Sequence, residues 1–75
     1  MTQDIEVTFS PLHTGSTMVV VTIGAEVYGA TDIEPVLALH AAARRAAVDL
    51  AARGHPLDPM LIVEKGMKQL PASFR

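Results

Sequence analysis

Thr17-Met18-Val19-Val20-Val21-Thr22-Ile23-Gly24-Ala25-Glu26-Val27-Tyr28-Gly29 is the stretch on which the fold turns. Its first seven residues are mostly β-branched, and such side chains suit a pleated, half-buried surface. The run predicts a strand over Thr17–Ile23. Gly24-Ala25 then reads as a two-residue turn, with glycine in the first central position of a type II′ turn, and Glu26 to Gly29 as a short third strand. The competing reading is one long strand with a bulge at Gly24. Alternation places Val19, Val21, Ile23 and Val27 on one face, and Met18, Val20, Thr22 and Tyr28 on the other.

Upstream, Ile5, Val7 and Phe9 alternate with Glu6, Thr8 and Ser10, the period of a half-exposed strand. Pro11 to Gly15 reads as the connection between the two strands. Downstream, a helix is expected from Thr31 or Asp32 to about Arg53. Thr31 with Glu34 makes a capping box. Asp32 as the cap instead puts Pro35 in the first turn, where its missing N–H costs nothing, and this reading is preferred. The Ala-rich interior favours helix, and Arg53-Gly54-His55-Pro56 is a stop signal. Asp58-Pro59 can open a helix, but Met60-Leu61-Ile62-Val63, closed by Glu64-Lys65-Gly66, suits a strand equally well, and the strand reading is adopted. Residues from about 71 to 75 read as a loose tail. The expected fold is a single α+β domain over 1–75, with its core in about 4–65. Its small antiparallel sheet has three to four strands and one long helix packed on one face, in the order β-β-β-α-β.

On a helical wheel Ile33, Val36, Leu37, Leu39, Ala43, Ala47, Val48, Leu50 and Ala51 form the apolar side, and Glu34, Arg45, Asp49 and Arg53 the polar side. Arg45–Asp49 and Asp49–Arg53 are each four apart, a charge ladder along the polar face. His40 and Arg44 interrupt the apolar side. As packed residues, His40 bonds a carbonyl and Arg44 snorkels from the core edge. As functional residues, both face a partner or a second subunit. One helix covers only one face of a small sheet, so the face carrying Met18, Val20 and Tyr28 is expected to stay partly open, as protein contacts do. The candidate partner or dimer surface is therefore Met18, Val20, Tyr28, His40 and Arg44.

Composition narrows the function. A chain of 75 residues without cysteine has neither disulfides nor thiolate metal sites to supplement a small core. With 49% hydrophobic and only 19% charged residues, self-association into a homodimer is the expected supplement. A net charge of −2 with 6 Lys and Arg argues against nucleic acid as partner. The alternative kept open is a dimeric nucleic-acid-binding regulator using Arg44, Arg45 and Arg53. No apolar run approaches the roughly 18 residues of a membrane span. Met1-Thr2-Gln3-Asp4 lacks the basic and apolar regions of a signal peptide, so a cytoplasmic location is expected.

Catalytic patterns are missing. His13, His40 and His55 share no metal-ligand spacing, and no metal or cofactor is expected. Ser10, Ser16 and His13 lie close in sequence but have no orienting acid nearby. Asp4 and Glu6 share one side of a strand that offers no cleft to raise a carboxyl pKa. The glycines are too scattered for a phosphate-cradling loop.

Val7-Thr8-Phe9, Gly15, the run from Gly24 to Glu34, the Ala-rich helix and Gly54-His55-Pro56-Leu57-Asp58-Pro59 together resemble the HicB antitoxin family over roughly residues 5–64. The family's aspartate–leucine–proline–glycine motif before the third strand is absent, and 75 residues leave no room for its C-terminal DNA-binding domain. The resemblance implies a partial ribonuclease-H-like α+β fold, commonly dimeric, that plugs a partner. It carries over no site residue. The function expected is a non-enzymatic inhibitor of a partner protein or complex, either antitoxin-like or a phage-encoded inhibitor of host defence of the anti-CRISPR type.

Overall fold

The computed structural model describes residues 4–72. The order is β1 (Ile5–Pro11), β2 (Thr17–Ile23), β3 (Glu26–Asp32), α1 (Pro35–Ala52) and α2 (Pro59–Gln69). The three strands form an antiparallel meander, β1-β2-β3. The class is α+β as expected, but the fourth strand is replaced by a second helix. The strand that the family resemblance implies at the C-terminal end is therefore helical here. Of the expected loose tail, residues 73–75 lie outside the described residues.

Gly24-Ala25 is a two-residue hairpin turn, since Ile23 pairs directly with Glu26. Gly24 has φ +60 and Ala25 is not at positive φ, the type II′ pattern. The alternative of one long bulged strand is thereby excluded. The turn also corrects the assignment of faces. Paired residues share a face, and the numbers of each β2–β3 pair add to an odd total, so odd residues of β2 share their face with even residues of β3. Tyr28 lies opposite Val21, and Val27 opposite Thr22. Tyr28 thus sits on the side of Val19, Val21 and Ile23, and Val27 on the side of Met18 and Val20. The expected faces had these two residues exchanged, because alternation was carried straight through the turn.

β3 runs on to Asp32, beyond the short strand expected, and α1 starts later than either cap reading placed it. Glu34 is the N-cap residue, extended at φ −91 and ψ 122, and makes no side-chain cap bond. Steric conflict with a following proline keeps its predecessor out of the helical region, so Glu34 cannot join the helix and Pro35 begins it. Asp32 instead accepts a hydrogen bond from Glu34 N through Oδ1 at 3.2 Å, a local turn leading into the helix. The stop is a Schellman motif. Gly54 (φ +83) donates to Ala51 O at 3.1 Å, and His55 N donates to Leu50 O at 2.8 Å.

α2 occupies the segment expected to be a strand. Asp58 caps it, its Oδ1 accepting from Met60 N at 3.0 Å, and proline follows in the first turn. Ile62, Val63, Gly66 and Leu70 are buried, a spacing that belongs to a helix and not to a strand. Asp58→Ala is expected to lower stability by about 0.5–2 kcal/mol, read as an earlier urea midpoint with an unchanged slope.

Both helices lie on the same side of the sheet. α1 crosses β2 and β3, while α2 packs on β1 and against α1. The core joins Val7, Val19, Val21 and Ile23 to Ala38, Leu39, Ala42, Ala43, Ala46 and Leu50, and to Ile62 and Val63. The inner side of α1 is thus mostly alanine, which lets the helix approach the sheet closely. Ile33, Leu37 and Val48, expected on the apolar side, are 74%, 54% and 71% exposed, and Ala51 is exposed as well. Leu39 fills the gap between the helices directly over Gly66, where an added Cβ would overlap the Leu39 side chain, lying 2.6 Å from Cδ2.

Candidate functional site

With both helices on one side, the other face of the sheet is bare among the described residues. Its rows follow from the register: Glu6–Thr22–Val27, Thr8–Val20–Gly29 and Ser10–Met18–Thr31. Val27 is 64% exposed and Met18 36%, and Val20 is half-buried. The face is apolar and hydroxyl-bearing, and Glu6 is its one charge. No Lys or Arg occurs in residues 1–32, which hold Asp4, Glu6, Glu26 and Asp32, while all six basic residues fall later. The sheet half is therefore acidic, and the helical half carries the basic groups.

Gly29 stands out at the edge of this face. Gly15, Gly24 and Gly54 have positive φ, and Gly66 is crowded by Leu39. Gly29 has neither constraint, because a Cβ there would meet only Val19 O at an ordinary 3.8 Å. Nothing within the monomer demands glycine here, and a glycine inside a strand commonly marks close approach by another molecule or backbone. Its missing side chain leaves a notch beside Val20, between Val27 and Thr31 along the strand.

The structure does not bring the five expected site residues together. Met18 and Val20 share the bare face. Tyr28 points to the helix side, where its hydroxyl donates to Asp49 Oδ2 at 2.7 Å. His40 is half-buried on α1, and Arg44 is exposed on the same helix. Sequence reasoning missed Val27, although the hairpin arithmetic of the Gly24-Ala25 turn identifies it. It also missed Gly29, whose special position emerges only when the other glycines are accounted for by conformation or crowding.

Around Tyr28 a polar cluster ties β3 to the end of α1. Arg53 Nη1 lies 2.8 Å from Glu26 Oε1, and Arg53 Nε lies 3.0 Å from Asp49 Oδ2. One rung of the expected ladder, Asp49–Arg53, is thus formed, whereas Arg44 and Arg45 make no ion pair among the described residues. The hydrogen bond to Asp49, aided by partial burial and the charges of Asp49 and Glu26 and opposed by Arg53, pushes the Tyr28 phenol up from 10.0 to about 12. Asp49 and then Glu26 likewise raise Arg53 above its usual value. A raised phenol pKa contributes stability below pH 10 that is lost as pH climbs through about 12. The chain has one Tyr and no Trp, so absorbance at the tyrosinate band reports this residue alone. The native protein is expected to titrate near pH 12 and the urea-unfolded chain near 10, with Asp49→Asn moving the native value back toward 10. An unshifted native titration contradicts the cluster.

A second concavity, an open cleft of about 790 Å³, lies at the end of the molecule among Asp4, His55, Leu61, Glu64, Lys65 and Lys68. Ser10, Ser16 and His13 are not part of its lining. Among the described residues no group of three or more His, Asp or Glu side chains is placed to hold a metal ion. No helix among them is long and apolar enough to cross a membrane. In comparisons with known proteins, no family model, no curated protein and no solved structure matches the chain.

Proposed function

We propose that this chain is a non-enzymatic cytoplasmic protein that binds a partner protein through the bare face of its sheet and inhibits it by occupying a functional surface. The observation that carries the reading is the one-sided placement of the helices, which leaves Met18, Val20 and Val27 uncovered beside the Gly29 notch. Contiguous apolar surface of this kind on a small domain marks a protein contact. The absence of Lys and Arg from the sheet half disfavours phosphate and favours an apolar surface with a neutral or basic rim. Antitoxin-like neutralisation and phage-encoded inhibition of a host defence complex are the two settings that fit.

The nucleic-acid alternative rests on Arg44 and Arg45 alone, because Arg53 is paired with Glu26 and Asp49. A mobility shift at low salt that weakens steeply as salt rises supports that alternative. For the preferred reading, Val20→Glu and Val27→Glu are compared with the wild-type chain against the purified partner. A contact at the centre of an interface is worth about 2 kcal/mol, roughly thirtyfold in Kd, so each variant should lose binding by about that factor while staying folded. A partner held equally by wild type and both variants, or the lack of any stoichiometric partner, contradicts the proposal.

A further inference from the structure

The two edges of the sheet are not alike. On β1, Val7 N donates to Gln69 Oε1 of α2 at 3.0 Å, and the strand ends at Pro11, which has no N–H to offer. The Val7 bond also fixes the phase of the ladders. Because the Val7 N–H points away from β2, the Val7–Val21 pair is a non-hydrogen-bonded one, so Val21 turns its backbone groups toward Tyr28. In β3, therefore, Glu26, Tyr28, Ala30 and Asp32 bond β2, and Val27, Gly29 and Thr31 present their N–H and C=O groups outward. Among the described residues no hydrogen bond reaches that outer edge. β3 has no proline, no lysine and no bulge in its seven residues, and its two charges, Glu26 and Asp32, stand only at its ends.

We propose that β3 pairs antiparallel with β3 of a second copy of this chain about a two-fold axis, making a continuous six-stranded sheet. The pairing stands on backbone geometry and does not rest on the binding role proposed above. A two-fold axis perpendicular to the sheet keeps both pairs of helices on one side and requires opposed residues to share a face. Only registers in which paired residue numbers add to an even total satisfy this. The register centred on Gly29 sets Glu26 against Asp32 of the second copy twice over, and like charges directly opposite repel. The register centred on Tyr28 crowds the acidic Glu26 and Asp49 clusters of both copies together near the axis.

The register centred on Ala30 opposes no like charges within β3, since the position facing Glu26 falls at Glu34, past the end of the strand at Asp32, and it moves the two Glu26 and Asp49 clusters away from the axis. It joins Gly29 to Thr31 of the second copy through the outward backbone groups. It also brings Val27, 64% exposed, toward Ile33, 74% exposed, which follows the end of the second copy's β3. Gly29 then has the reason that the monomer lacks, because the second backbone approaches along its strand. A shallow groove on α1 beside Asp49, lined by Ala41, Arg44, Arg45, Val48 and Ala52, lies toward this edge, where the second copy's α1 would approach. The bare faces of the two sheets become one surface, to which each copy contributes its own Met18, Val20 and Val27.

The test uses the full chain, which has no cysteine of its own. Light scattering on the eluting protein should give twice the 8.0 kDa chain mass. Gly29→Pro removes an outward N–H that β2 does not use, so the variant should keep the circular dichroism of the wild type and elute as the monomer. Ala30→Cys stands in the pair at the axis, a non-hydrogen-bonded pair with Cα atoms about 4.5 Å apart, within disulfide reach. Under mild oxidation it should form a covalent dimer when native and not in urea, whether or not Gly29→Pro folds. Val20→Glu, which disables the bare face but not the edge, should remain dimeric. A wild-type monomer at all concentrations, a folded Gly29→Pro dimer, a monomeric Val20→Glu or an Ala30→Cys chain that does not cross-link natively each overturns the proposal.

Discussion

Leu39→Ala is expected to leave the chain largely unfolded at room temperature. Leu39 is completely buried and is among the largest fully enclosed side chains. It lies where α1, α2 and the sheet meet, directly over Gly66. Truncating such a leucine costs about 2–5 kcal/mol, combining lost transfer free energy with the cavity left behind. A domain of this size rarely draws more than about 3–5 kcal/mol from its core, so the loss is comparable with the whole stability. Circular dichroism and urea titration should show a variant already inside its unfolding transition without denaturant. A variant that keeps a full native baseline contradicts the packing described here.

Gly66→Val separates the helices from the other side of the same contact. The added Cβ already overlaps the enclosed Leu39 side chain, and the branch methyls add to the overlap. Overpacking of this kind costs about 1–3 kcal/mol or more. Valine is also only a modest helix former, so little of the glycine penalty is recovered. Gly66→Ala gains about 1 kcal/mol in helix propensity and is the milder change. The pair is diagnostic as a cycle. In the Leu39→Ala background the alanine methyl at position 66 enters vacated space, so Gly66→Ala should stabilise there and destabilise in the wild type. Contacting sites show couplings of about 0.5–3 kcal/mol, and additivity between these two positions contradicts direct contact.

The strands and the first helix were legible because local rules decided them. The β-branched run, the Gly24-Ala25 turn and the Arg53-Gly54 stop all act over a few residues. The helix start was not read correctly, because β3 competes for Thr31 and Asp32 and the restriction that Pro35 places on Glu34 outweighs the better capping side chains. The last segment misled because four consecutive apolar residues fit either period. Asp58-Pro59 and the burial of Ile62, Val63, Gly66 and Leu70 settle it as helix, and glycine does not register as a core residue in a hydrophobicity pattern. The wheel set Leu37 and Val48 inward, while the sheet receives the small face of Ala38, Ala42 and Ala46, which an apolar side drawn around the larger residues does not single out. Of the candidate surface, Met18 and Val20 were placed correctly on the open face, and Tyr28 was exchanged for Val27 by one step of parity through the turn.

The Gln69–Val7 bond spans 62 residues and comes from the last turn of the final helix. Without α2, β1 lacks the Gln69 contact at its outer edge and the sheet would have two unguarded margins. Two open edges on one sheet would permit open-ended edge-to-edge pairing between chains. Completion of α2 covers the β1 margin and, in the proposed dimer, leaves β3 as the edge that pairs. A chain shortened before Gln69 should therefore be poorly soluble when expressed, even where its strands and first helix are intact.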